Sequence, residues 1–350
     1  MNLKNQAIFW IATTILFLTF VWLFSQILLP FVAGITIAYL LNPLLKRLGE
    51  LNMSRTLATI LILTVFLVIV IALAVLLLPP LYRELVEFAE KAPSYIDSLW
   101  SRFEPYMKIV EETVDERDLD QSISEAIKGN VSSALSAGSN LFESLLNGGR
   151  ALAGFLTFIV VTPLVAFFMM IEWSSITAWI DDVLPRHSHD TIKSLLTRID
   201  KKIAGFIRGQ LLVSLSLGIL YAVALSVAGL QYGFLIGLAA GVLSIIPLFG
   251  STVGLLISVI VAYLQSGEIY FVAIIAGIFF FGQFLEGNFI APKLIGQSVG
   301  LHPLWILFAL MAGGALLGLV GMLIAVPVAA TAGVLFSFAI DQYRDSKYYK

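Results

Sequence analysis

Several stretches of this chain run close to the length of a membrane crossing with hardly a charge in them: 7–24, 57–78, 151–171, 207–230 and 270–290. A helix rises ~1.5 Å per residue, so ~20 apolar residues cross ~30 Å of hydrocarbon. Shorter apolar runs occupy 27–41, 233–248, 251–264, and the pair 304–319 and 322–340 joined at Gly321. Each of these contains or abuts Gly or Pro, which predicts tilted, kinked or re-entrant segments. The reading is an all-α polytopic integral membrane protein with eight to ten membrane segments. Some of these form Pro/Gly-broken or re-entrant hairpins, and an amphipathic helical insert accompanies them.

Composition agrees. Of the 350 residues, 59% are apolar and 13% charged, against ~45–50% and ~25% in soluble domains. A net charge of −2 lacks the basic footprint of a nucleic-acid binder. The chain has no cysteine, which excludes disulfides, thiolate nucleophiles, iron–sulfur clusters and Cys-based zinc sites. With three histidines there is little room for a His-rich metal site.

The charges divide the chain. Residues 81–150 hold 20 of the 44 charged side chains, and 172–208 carry 5 acidic and 6 basic ones. The divisions are N-terminal transmembrane helices over 1–80 and an extramembrane amphipathic region over 81–150. A transmembrane helix with a cytoplasmic linker follows over 151–205, then a C-terminal transport-type domain over 206–340 and a cytoplasmic tail over 341–350. Lys4, Lys46, Arg47 and Arg55, the basic residues from Arg186 to Arg208, and Arg344, Lys347 and Lys350 all belong inside by the positive-inside rule. Both termini are thus predicted cytoplasmic, with 81–150 outside. The first span has no small-residue cleavage pattern after it and reads as a retained anchor.

Within 81–150, Leu81, Leu85, Phe88, Ala92, Tyr95, Leu99, Phe103, Met107, Val110 and Val114 recur every three or four residues. Leu119, Ile123, Ile127, Val131 and Leu135 recur every four. This is the stripe of an amphipathic helix pair broken near Asp118–Asp120. Its partner is the membrane surface, its own second helix, or a neighbouring subunit.

Motifs for catalysis are missing. There is no Gly-x-x-x-x-Gly-Lys-Ser/Thr loop, no Gly-x-Ser-x-Gly elbow and no His-Glu-x-x-His, so no catalytic residue, cofactor or metal ligand is assigned. His187-Ser188-His189-Asp190 reads as a solvated loop. The chemistry-bearing candidates are polar or helix-breaking residues in the apolar C-terminal half. Gln283, Glu286, Gly287 and Ile290 share a helical face, with Asn288 beside them and Pro292-Lys293 after. A carboxylate at the bilayer centre costs ~2.5–3.5 kcal/mol on insertion scales, so it faces a cavity or a partner. Glu286 stands near the inner end of its helix, where interfacial water or Lys293 are the competing explanations. Arg208 and Gln210 open another helix as snorkelling or capping groups, or as gating residues.

Two segments are broken: one through Ser244, Pro247, Gly250 and Ser251, the other through Gly313, Gly314, Gly318, Gly321 and Pro327. Broken backbone within a membrane is tolerated only against protein or a wet cavity. Paired breaks in two halves of a domain point to a transport site, although small-residue patterns also serve ordinary helix packing. The substrate-pathway candidates are Pro247, Gly250, Ser251, Gln283, Glu286 and Asn288. Arg208, Gln210, Lys293 and Pro327 are gating or interface candidates.

At these residues the chain resembles the AI-2E family, the autoinducer-2 exporter family of bacterial inner-membrane transporters. The resemblance rests on Phe206-Ile-Arg-Gly-Gln210, Ile246-Pro-Leu-Phe-Gly-Ser-Thr-Val-Gly254 and Gln283-Phe-Leu-Glu-Gly-Asn-Phe-Ile-Ala-Pro-Lys293. It continues in Val299-Gly-Leu-His-Pro303, in Gly318-Leu-Val-Gly-Met-Leu-Ile-Ala-Val-Pro327, and in the earlier Leu29-Pro-Phe-Val-Ala-Gly34 and Tyr39-Leu-Leu-Asn-Pro43. It covers most of the chain and is weakest over 81–150. The resemblance implies an all-helical transporter in a family with exporters of the quorum-sensing signal autoinducer-2 and sodium(lithium)/proton antiporters. It also implies a pentameric homo-oligomer and an elevator-like mobile domain. The expected function is export of a small polar solute across the inner membrane, with H+ or Na+ as candidate coupling ion. Cation/proton exchange through Glu286, and a non-transporting scaffold or sensor using 81–150, are its rivals.

Overall fold

The computed structural model describes residues 27–113, 149–295 and 300–346, with a few separate positions before 27 and Tyr349. Most of the first apolar run, the amphipathic repeat from Val114 through Leu135 and Lys347 and Lys350 of the tail lie outside the described residues. Among the described residues there is no strand. The helices are α1 (Leu28–Glu50), α2 (Arg55–Thr113), α3 (Gly149–Val183), α4 (His189–Val227), α5 (Gly233–Leu243), α6 (Phe249–Ser266), α7 (Ile269–Leu285), α8 (Ala291–Leu294) and α9 (Pro303–Asp345). Among the described residues seven stretches are long and apolar enough to cross a membrane, and α5 is a shorter apolar helix.

Two packing units form. In the first, Ala38, Leu41 and Leu45 of α1 meet Ala58, Ile62 and Leu63 of α2 and Ala166 and Met170 of α3. Gly34 lets α1 approach α3: a Cβ there would sit 2.8 Å from the Thr162 carbonyl. Arg55 donates Nε to the Met170 carbonyl at 2.9 Å. The rest of α2 leaves Val65, Val68, Ile71, Val75 and Leu78 exposed. An apolar surface of that extent suits hydrocarbon or another subunit, not water.

In the second unit, Val213, Leu217, Tyr221 and Leu225 of α4 pack on Ile236 and Ala240 of α5, Val261 and Ala262 of α6, and Ile275 and Phe279 of α7. The α4–α5 crossing has no side chains between backbones: a Cβ on Gly241 would collide with Gly218, and one on Gly237 with Ala222. Small residues are what let two helices meet so closely.

Helix α9 is a hairpin. Gly318 has φ 59° and ψ −137°, a conformation open to glycine, and the chain reverses there. Gly313 and Gly321 then touch backbone to backbone, and Leu310 shares a cluster with Ala325. The first limb, 303–317, rises ~22 Å, short of the ~30 Å hydrocarbon, whereas the return limb after Gly318 is long enough to span it. The break falls at Gly318, almost one turn before the predicted junction at Gly321.

Two further boundaries are smoother than composition suggests. Helix α2 runs from its apolar stretch to Thr113 in one element, through the change of composition at 81. Helix α4 likewise joins the polar linker to the apolar half in one 39-residue element.

Candidate functional site

The tip between α5 and α6 organises the polar residues. Helix α5 ends at Leu243, and Leu248 adopts a left-handed conformation with φ 68° before α6 begins. The last carbonyls of a helix have no partners within it. Here side chains supply the donors: Ser214 donates Oγ to the Gly241 carbonyl at 2.6 Å, and Gln210 donates Nε2 to the Ser244 carbonyl at 2.6 Å. Ser244 donates Oγ to the Ala240 carbonyl at 2.8 Å. Gly250 lies so close to Ala240 and Ser244 that any Cβ would collide with them. Ile246, beside Pro247, packs against Leu310 and Ala325 on the two limbs of α9. The two broken segments therefore touch.

Helix α7 supplies the polar groups facing this tip. Gln283 donates Nε2 to Ser251 Oγ at 2.6 Å and to Glu286 Oε2 at 2.8 Å. Ser251 is buried, while Gln283 and Glu286 are half-buried. Among the described residues no cation pairs with Glu286. From Glu286 to Ile290 the helix widens into a π-helical turn, an interruption frequent at functional sites. By helical rise Gln210 lies ~26 Å from the Val227 end of α4, and Gln283 ~21 Å from the start of α7. The cluster thus stands toward the end of the unit that carries Lys201, Lys202 and Arg208.

Of the pathway candidates, Ser251, Gln283 and Glu286 form one hydrogen-bonded chain, with Pro247 and Gly250 in the adjoining tip. Asn288 does not join them. It stands on the exposed side, where it donates Nδ2 to the Phe284 carbonyl at 2.9 Å. Gly287 is exposed too, while Ile290 packs on the second unit's core. Arg208 is exposed and donates to the Ala204 carbonyl of its own helix at 3.0 Å. Gln210 is buried as the clamp on Ser244. Lys293 is exposed and forms no ion pair among the described residues, so it does not answer Glu286. Pro327 lies on the return limb of α9, next to Val326, which packs against Phe206.

Sequence reasoning missed Ser214 and Tyr221. Tyr221 is 0% exposed and stacks on Phe279 with centroids 4.5 Å apart. Its position in an apolar run reads as core, and only its hydroxyl distinguishes it. The His187–Asp190 segment is more ordered than a solvated loop. Arg186–Ser188 is a 3-10 turn, and His189 Nε2 lies 3.1 Å from Asp181 Oδ1, which Lys193 also meets at 2.9 Å. Among the described residues no three His, Asp or Glu side chains gather as metal ligands. A shallow cleft between α1 and α3, lined by Tyr39, Asn42, Met170 and Trp173 among others, belongs to the other unit and shares no residue with the cluster.

Known proteins resemble the chain along nearly its whole length. It is 29% identical over 347 residues to the candidate transport protein YrrI of Bacillus subtilis (strain 168), covering 94% of this chain and 95% of that one. With the candidate permease PerM of Escherichia coli (strain K12) it shares 27% over 313 residues, 88% of this chain and 86% of the relative. With a protein named AI-2 transport protein TqsA, from the same E. coli strain, it shares 24% over 318 residues, 91% and 86% of the two chains. The family model described as AI-2E family transporter matches residues 11–340. A multi-pass helical membrane protein with broken, contacting hairpins, matched over that length, belongs to the AI-2E family of transporters.

Proposed function

We propose that this chain is a secondary transporter of the inner membrane that exports a small polar solute, with autoinducer-2 as the leading candidate. It does so without catalysis by its own residues. The observation that carries the reading is the Ser251–Gln283–Glu286 chain of hydrogen bonds at 2.6 and 2.8 Å, set where α5–α6 and α7 are both interrupted. Hydroxyl, amide and carboxylate groups there can replace the water around a hydroxylated solute. The relative named AI-2 transport protein TqsA supports the choice of solute. In this reading both termini are cytoplasmic and the working form is a homo-oligomer, a pentamer by family resemblance.

Efflux of autoinducer-2 from proteoliposomes tests it. Glu286→Gln and Pro247→Ala, each at wild-type expression, are expected to cut efflux severely. Wild-type rates in both variants would remove the site.

A second reading has its own observation. Glu286 is half-buried with an amide donor but, among the described residues, no cation partner, as a carboxylate that takes up and releases H+ or Na+ would be. It predicts sodium-dependent pH changes in vesicles that vanish in Glu286→Gln. Solute export without an ion requirement predicts none.

A further inference from the structure

The polar cluster has a neighbour that no bond uses. The Tyr221 hydroxyl is buried and, among the described residues, has no partner at full hydrogen-bond geometry, with Gln283 and Glu286 near enough to act on it. Its ring is fixed by the stack on Phe279. Its tip lies over Gly282, where a Cβ would stand 2.5 Å from the hydroxyl oxygen. Gly282 is the residue before Gln283, so the glycine is what admits the tyrosine's polar end to the cluster's edge.

A buried hydroxyl without a partner is destabilising. Tyrosines in apolar cores ordinarily place the ring in the core and find a partner for the oxygen. Here the ring obeys the rule and the oxygen does not. Phenylalanine would fill the same space without that cost.

We propose that Tyr221 is a specificity-determining residue whose hydroxyl is held in reserve for the transported solute. A solute hydroxyl entering beside Gln283 accepts from, or donates to, the Tyr221 oxygen while a second one donates to the Glu286 carboxylate. The chemistry selects a compact neutral solute with neighbouring hydroxyl groups. This rests on the transport site proposed above and adds a group from α4 to it.

The test compares wild type with Tyr221→Phe in full-length protein. Without solute, Tyr221→Phe is expected to unfold in detergent at or above the wild-type temperature, since no bond is lost. In proteoliposomes loaded with autoinducer-2, its KM for efflux is expected to rise about five-fold, the scale of one lost neutral hydrogen bond, with kcat unchanged. An unchanged KM overturns the inference, and so does a variant that unfolds several degrees lower, which would reveal a structural partner. If wild-type liposomes export no autoinducer-2, the exporter reading fails separately. The single-cysteine variant Tyr221→Cys, in a chain with no cysteine of its own, then decides the hydroxyl's place. Labelling by a small water-soluble thiol reagent in membranes upholds it, and a position dry in every condition overturns it.

Discussion

Gln210 shows how one side chain holds a broken helix in a membrane. Its amide replaces the donor that the Ser244 carbonyl would find if α5 continued, and both groups are buried. Removing the donor leaves that carbonyl without it, at a cost of ~1–3 kcal/mol. Gln210→Ala is therefore expected to lower the thermal unfolding temperature of purified protein, whereas Arg208→Ala, whose bond is to its own helix on an exposed face, leaves it nearly unchanged. Equal shifts for the two would deny Gln210 its role. The same contrast shows what was legible at this scale. Ser251, Gln283 and Glu286 announce themselves because polar atoms in apolar runs need a reason. Tyr221 does not, because an aromatic ring in such a run is ordinary core. Lys293 reads as a competing partner for Glu286 from its place just beyond the helix, and Asn288 as a residue beside the polar face. Asn288 stands two residues from Glu286, a spacing that sets the two on opposite sides of a helix.

Among elements, the apolar runs of near-crossing length that fall within the described residues map onto helices, since length and hydropathy are local properties. Their joints are less local. The break in α9 is set by whichever glycine can take φ 59° and ψ −137° while Gly313 and Gly321 pass each other, and with five glycines between 313 and 333 the sequence offers several. Gly318 is the one that bends. Any other residue there is strained by ~1–3 kcal/mol, although open space surrounds it. Gly318→Ala is thus expected to reduce efflux and thermal stability together, by opening the hairpin. Gly277→Ala, in the middle of α7 with equally open space, serves as the matched control and retains both. If Gly318→Ala matched that control, the hairpin would not depend on its bend.

At the scale of the whole molecule, each unit has its own apolar core, while among the described residues the bonds that join the units are mostly polar and few. Tyr39 of α1 donates its hydroxyl to Asp200 of α4 at 3.0 Å. Far along α2, Glu84 accepts from the Leu235 backbone at 3.0 Å, Glu87 accepts from Gln231 Nε2 at 3.4 Å, and Phe88 meets Tyr232 edge-on. Polar links of this kind exchange with water at little net cost, whereas parting an apolar core within either unit would give up the close van der Waals packing that holds membrane helices together. Relative motion, if transport uses it, runs along this seam and not through a core. The polar seam was not legible in the sequence, because α2 and α4 each cross a compositional boundary without a break and so belong to both kinds of segment. A chain bearing Glu87→Cys and Gln231→Cys, joined by a short cleavable thiol cross-linker, is expected to lose efflux and recover it when the linker is cut. Efflux that continues through a completed cross-link would mean that the units stay together while solute passes, leaving the hairpin tips as the moving parts.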